Sequence, residues 1–158
     1  SSLCISFGEH QKLDRGQIEI LGVAGLFHDV GFSQYEESEK QLFVKELSEM
    51  QASELTRYKE HPRIGGEILQ DKDFASKDII ELILAHEEKQ GGNGFPNKLK
   101  TLSPVQEILS ICCFYDREVT LLGKSRDSVL EDFSVNQIGN YNLDTIKAFK
   151  NFVKKSGL

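Results

Sequence analysis

Apolar residues recur at three- and four-residue spacing along almost the whole chain, and no run alternates with period two over a useful length. Such spacing gives a helix one buried stripe and gives a strand no coherent face. The sequence therefore predicts an all-α fold, a helical bundle. Its 158 residues are enough for one hydrophobic core and predict a single domain over 1–158.

Helix signals punctuate the pattern. Asp14 caps a predicted helix carrying Ile18, Leu21, Val23, Leu26 and Phe27 and ending near Val30-Gly31. Residues 36–49, highly charged with Leu42, Phe43 and Leu47 on one stripe, predict a surface helix. Ser53 opens a further helical stretch, and Pro62 marks either a break or the first turn of a new helix reaching about Leu69. Ser76 caps a buried run containing Ile79, Leu82 and Ile83. Residues 89–101 carry glycines, a proline and lysines and predict the longest loop. Ser103-Pro104 starts a helix through Tyr115, and a last helix begins near Asn142.

The charge balance narrows the function classes. A net charge of −6 with scattered lysines leaves no basic stripe for DNA or RNA. No apolar run approaches a membrane span. Three cysteines, two of them adjacent, make a poor disulfide framework and favour a reducing, cytoplasmic setting. The chain opens on Ser1-Ser2 without an initiator Met, which suggests a piece of a longer protein.

Three of the four histidines fall at or near predicted helix ends beside acids or a proline: His28-Asp29, His61-Pro62 and His86-Glu87-Glu88. Imidazole nitrogen and carboxylate oxygen suit iron, manganese or zinc. Singly, each pair reads as an ordinary helix terminus. Together, in separate helices of one bundle, they predict a metal cage, with the Asp29 carboxylate able to bridge two ions. Paired ions can clamp a phosphate for in-line attack.

The order Phe27-His28-Asp29-Val30-Gly31, then His61-Pro62-x-x-Gly65, then His86-x-Glu88-x-x-x-Gly92-x-Gly94-Phe95-Pro96 resembles the HD-GYP family, a subgroup of the HD phosphohydrolases. The resemblance covers roughly residues 1–122 and implies hydrolysis of cyclic di-GMP to pGpG or GMP. It implies two or three divalent ions, iron or manganese. The implied ligands are His28, Asp29, His61 and His86, with Asp29 also catalytic, and Glu87 and Asp116 are the carboxylates available to complete the set. Gly92, Gly94, Phe95 and Pro96 are implied beside the substrate. It further implies a first helix, an upstream regulatory domain or a signalling partner beyond residue 1.

The chain departs from that pattern at functional positions. Glu87 stands where the family has a second histidine, Phe32 where it has lysine, and Phe95 where it has tyrosine. The family's last acidic ligand falls on Cys113, with Asp116 one turn along the same helix face. His10 lies away from the family's early histidine and reads as a surface loop residue. These departures raise the alternative of a non-catalytic domain that binds cyclic di-GMP or a protein.

Overall fold

The computed structural model describes residues 1–156. Eight α-helices carry the fold: α1 Ser2–His10, α2 Arg15–Phe27, α3 Ala52–Tyr58, α4 His61–Leu69, α5 Lys77–Ala85, α6 Pro104–Asp116, α7 Arg126–Val135 and α8 Leu143–Ser156. No β-strand forms among the described residues, in keeping with the all-α bundle. No described helix is long and apolar enough to cross a membrane.

The predicted starts are realised through capping chemistry. Asp14 accepts from the Gln17 amide, Ser76 from that of Ile79, and Ser103 from that of Gln106. Each satisfies an amide that a helix N-terminus leaves unpaired, worth about 1 kcal/mol. Pro104 sits in the first turn of α6, where no intrahelical donor is needed.

Helix α6 forms the spine. Its Ile108, Leu109, Ile111 and Cys112 are buried, and α1, α2 and α5 pack against it. Helix α2 also packs on α1 and α5, and α4 packs on α5. Phe7, Phe133, Tyr115 and Phe149 fill the α1–α6–α7–α8 end with edge-on ring contacts. A second, smaller cluster gathers Tyr35, Leu42 and Tyr58, with Phe32, Met50, Ile64 and Phe95 around it.

Three expectations are corrected, and one helix is added. Residues 36–49 form short 3-10 turns, Lys40–Val44 and Leu47–Glu49, instead of one surface helix. The chain has to wrap so that Tyr35 and Leu42 reach the aromatic cluster, and Glu39 is drawn away to Arg57. Helix α2 ends at Phe27, short of Gly31, and Val30–Gln34 tightens into a 3-10 turn. Helix α7, which no expectation covered, is capped by Ser125. His10 ends helix α1, its exposed ring near Phe7 and Phe152.

Candidate metal centre

The chemistry-bearing residues sit at helix termini, where a side chain can leave the helix wall and face a neighbour. His28 follows the last residue of α2, and Asp29 follows it. His61 opens α4, and His86 follows the last residue of α5. Gly31 allows the elements to meet: a Cβ there would lie 2.0 Å from the His61 carbonyl oxygen. The turn at 30–34 therefore packs directly on the start of α4, which brings Asp29 against His61.

The Nδ1 atoms of His61 and His86 lie 2.7 Å from the Tyr58 carbonyl and 2.6 Å from the Ile83 carbonyl. A carbonyl only accepts, so each Nδ1 carries the proton and each Nε2 is left with its lone pair. Those two Nε2 atoms stand 2.9 Å apart. Asp29 Oδ1 is 3.5 Å from the first and 3.6 Å from the second. Both imidazoles are buried, and Asp29 is half-buried.

Three donor atoms thus converge with no proton among them. Two ligands on one ion, each at about 2.1 Å, stand about 3.0–3.4 Å apart for right-angle to tetrahedral geometry. The observed edges of 2.9–3.6 Å bracket that span. The donor set therefore fits a divalent cation. Burial first, with a smaller contribution from the neighbouring His86 ring, holds His61 down to about 4, so its ring is neutral and able to ligate near pH 7. Burial pushes Asp29 up, but the hydrogen bond and charge of His28, with a further contribution from His86, outweigh it and hold the carboxyl well below its ordinary value.

His28 takes a different place. Its Nδ1 lies 3.2 Å from the Gly25 carbonyl, and its Nε2 lies 3.2 Å from Asp29 Oδ2. Burial opposes the charged ring, yet the Asp29 hydrogen bond and charge prevail and raise its pKa. His28 therefore holds the far oxygen of Asp29 while the near oxygen faces His61 and His86.

The other expected ligands and contacts are not gathered into this group. Glu87 lies on the wall of a small cavity shared with His28, Asp29, His86, Cys113 and Arg117, and its Oε1 accepts from the Tyr58 hydroxyl at 2.8 Å. Asp116 is exposed and accepts from Thr120 at 2.9 Å. Phe95 packs on Tyr58 and His61 from outside the cavity. Gly92, Gly94 and Pro96 do not line it either.

The glycine loop is held by Glu88. This fully buried carboxylate accepts from the amides of Asn97, Lys98 and Leu99 at 2.5, 3.0 and 2.9 Å. Gly94 lies where a Cβ would stand 2.2 Å from the Lys89 nitrogen. The loop is thereby pinned to the residues just after His86.

Several residues of the site escaped the sequence reading. Tyr58 orients His61 through its carbonyl and Glu87 through its hydroxyl, and its position three residues before His61 was the available signal. Cys4 on α1 shares a cavity with His28, Cys112, Cys113 and Asp116, and the odd cysteine count was the only hint. Hydrogen bonds from Cys112 and Cys113 lower the Cys4 pKa. Phe32 stacks on His61 with ring centroids 4.3 Å apart, so an aromatic wall stands where the resemblance implies a lysine.

A sequence model described as an HD domain matches residues 1–125. This chain belongs to the HD domain family. The matched residues include His28-Asp29, which directly follow α2. Among solved structures, this HD domain is similar to Bd1817, a HDG"Y"P protein from Bdellovibrio bacteriovorus, with 24% identity and a TM-score of 0.82. The likeness covers 96% of this chain and 49% of that one, so this HD domain spans about half the length of its neighbour. No curated protein matches the chain.

Proposed function

We propose that this HD domain is a metal-dependent phosphodiesterase whose substrate is a cyclic di-nucleotide, cyclic di-GMP first among them. The observation that carries the reading is the convergence of His61 Nε2, His86 Nε2 and Asp29 Oδ1 at coordinating separations. The HD family assignment supports phosphohydrolase chemistry, and the motif order from His28 to Pro96, which resembles the HD-GYP pattern, supports the cyclic di-nucleotide.

When bound, a divalent ion such as iron or manganese supplies Lewis acidity that acidifies water and polarises a phosphoryl oxygen. The remaining work falls to the chain. His61, His86 and Asp29 hold the ion. Tyr58 and Ile83 fix the two ring tautomers, an orienting contact whose loss typically weakens a site 10–100-fold. His28 steadies Asp29 and, on losing its proton, offers a nitrogen to a second ion. Glu87, on the cavity wall, is placed to accept the proton released by attacking water.

The test is metal content and turnover of cyclic di-GMP by anaerobically prepared protein supplied with iron or manganese. Bound metal with formation of pGpG or GMP is expected. Absence of both would overturn the reading.

One observation favours a second reading, a domain that binds nucleotide or protein without turnover. Cys113 lines the cavity beside Asp29, while the exposed Asp116 turns to Thr120, so no second acid from α6 joins the group. Cyclic di-GMP binding without product, in protein that retains its metal, would establish that reading over the first.

A further inference from the structure

Arg117 follows the last residue of α6, where the helix loosens into a π-turn over Arg117–Leu121, its carbonyl accepting from the Leu122 amide. Such turns recur at functional sites because they re-aim a side chain without ending the helix. Among the described residues, Arg117 is the one Lys or Arg side chain lining the cavity that Asp29, His86 and Glu87 share.

Its guanidinium is fixed at two of three nitrogens. Nε donates to the Tyr58 hydroxyl at 3.0 Å, and Nη2 donates to the Lys45 carbonyl at 2.7 Å. Nη1 is enclosed and has no hydrogen-bond partner among the described residues. No described carboxylate forms an ion pair with the group within 4.0 Å. Glu87 meets it only through Tyr58. An enclosed donor without a partner is costly, and an anion entering the cavity relieves that cost although Asp29 and Glu87 share its wall.

The cavity, about 10 Å³, holds about one water. A phosphate therefore needs its wall to move. Phe43 and Leu121 belong to that wall. Phe43 lies in the 40–44 turn, immediately before Lys45, the residue that holds Nη2. Displacing this segment widens the cavity and frees Nη2 in one motion. Nη1 and Nη2 then present the two-pronged edge that matches two phosphate oxygens.

We propose that Arg117 is the phosphate-binding residue of this site, taking the non-bridging oxygens of a phosphodiester through Nη1 and Nη2 while the Asp29–His61–His86 group holds the metal. The proposal rests on the phosphodiesterase reading for its substrate. It stands apart from that reading in its test, because inorganic phosphate serves as the probe with and without metal.

The experiment is calorimetric titration of inorganic phosphate into the whole chain, metal-free and manganese-loaded, for wild type, Arg117→Met and Arg117→Lys. Metal content of each protein is measured in parallel. Arg117→Met is expected to keep its manganese and to bind phosphate about tenfold or more weakly, the scale of a lost charge-assisted hydrogen bond. Arg117→Lys keeps the charge without the fork and is expected to fall between. In turnover of cyclic di-GMP, KM rises more than kcat falls. Phosphate affinity unchanged in Arg117→Met would overturn the proposal. Should that variant fail to fold, unchanged affinity in Arg117→Lys overturns it and a severalfold loss supports it. A wild type without manganese would instead sink the metal reading, and the metal-free titration would still decide the role of Arg117.

Discussion

His61 and His86 face each other with Nε2 atoms 2.9 Å apart, and both rings spend their Nδ1 protons on backbone carbonyls. Two lone pairs held that close repel unless a cation lies between or beside them. The fold supplies Asp29 as the third donor and encloses the rings, so the repulsion becomes binding free energy once an ion arrives.

Manganese is therefore expected to stabilise the protein. At a hundredfold excess over its Kd the gain is about 2.7 kcal/mol, or a rise in Tm of about 5–10 °C for a chain of this size. His86→Ala and Asp29→Ala should abolish the rise and the bound metal while the far-ultraviolet circular dichroism stays helical. His28→Ala, which removes the prop from Asp29, should weaken metal binding about 10–100-fold. A Tm that ignores manganese in wild type would show that the three donors hold no ion.

The metal-free protein should lose stability as pH falls from about 6.5 to 4. Burial holds His61 at about 4 in the folded state, below its ordinary 6.5. Between those values the unfolded chain binds the proton and the folded chain does not, so stability rises with pH across the window. His28, whose pKa is raised, acts in the opposite sense and only above 6.5, as its folded-state proton is lost. His61→Asn should flatten the acid limb in a series of thermal melts from pH 4 to 7. An unchanged slope would remove His61 as its source.

Glu88→Gln should cost about 2–4 kcal/mol without removing metal. A neutral amide retains one acceptor for the amides of Asn97, Lys98 and Leu99 and turns a donor toward the rest. Gly94→Ala, whose Cβ would press into the Lys89 backbone, should cost about 3 kcal/mol. Urea titration measures both. If Glu88→Gln released metal while leaving stability intact, Glu88 would be a ligand and not a loop anchor.

Cys113→Asp should raise the ions bound per chain. Cys113 lines the cavity beside His28 and Asp29, and a carboxylate there adds a hard donor suited to iron or manganese. Elemental analysis after saturation and dialysis measures the change. A ratio equal to that of wild type would show that this α6 position does not serve the metal.

Helix periodicity and capping residues carried most of the fold. Asp14, Ser76 and Ser103 cap where they stand because capping is a local contest between a side chain and water for nearby amides. The His28-Asp29, His61 and His86 positions were legible for the same reason: histidines at helix ends beside acids or proline form a pattern within a few residues. The acidic segment 36–49 was misjudged because its shape answers to Tyr35, Leu42 and Arg57, contacts that no local propensity encodes.

The sequence by itself determined the helical class and most of the helix starts, and it offered His28, Asp29, His61 and His86 as candidate donors. The tertiary structure decided which donors meet. It set His28 behind Asp29, turned Glu87 to Tyr58 and Asp116 to Thr120, and spent Glu88 on the glycine loop. It also brought Arg117 beside the donor group, although 88 positions separate it from Asp29. Coordination and anion binding depend on separations of about 3 Å between atoms from different helices. Spacing along one helix fixes a face, and only the packing of helices fixes such a distance.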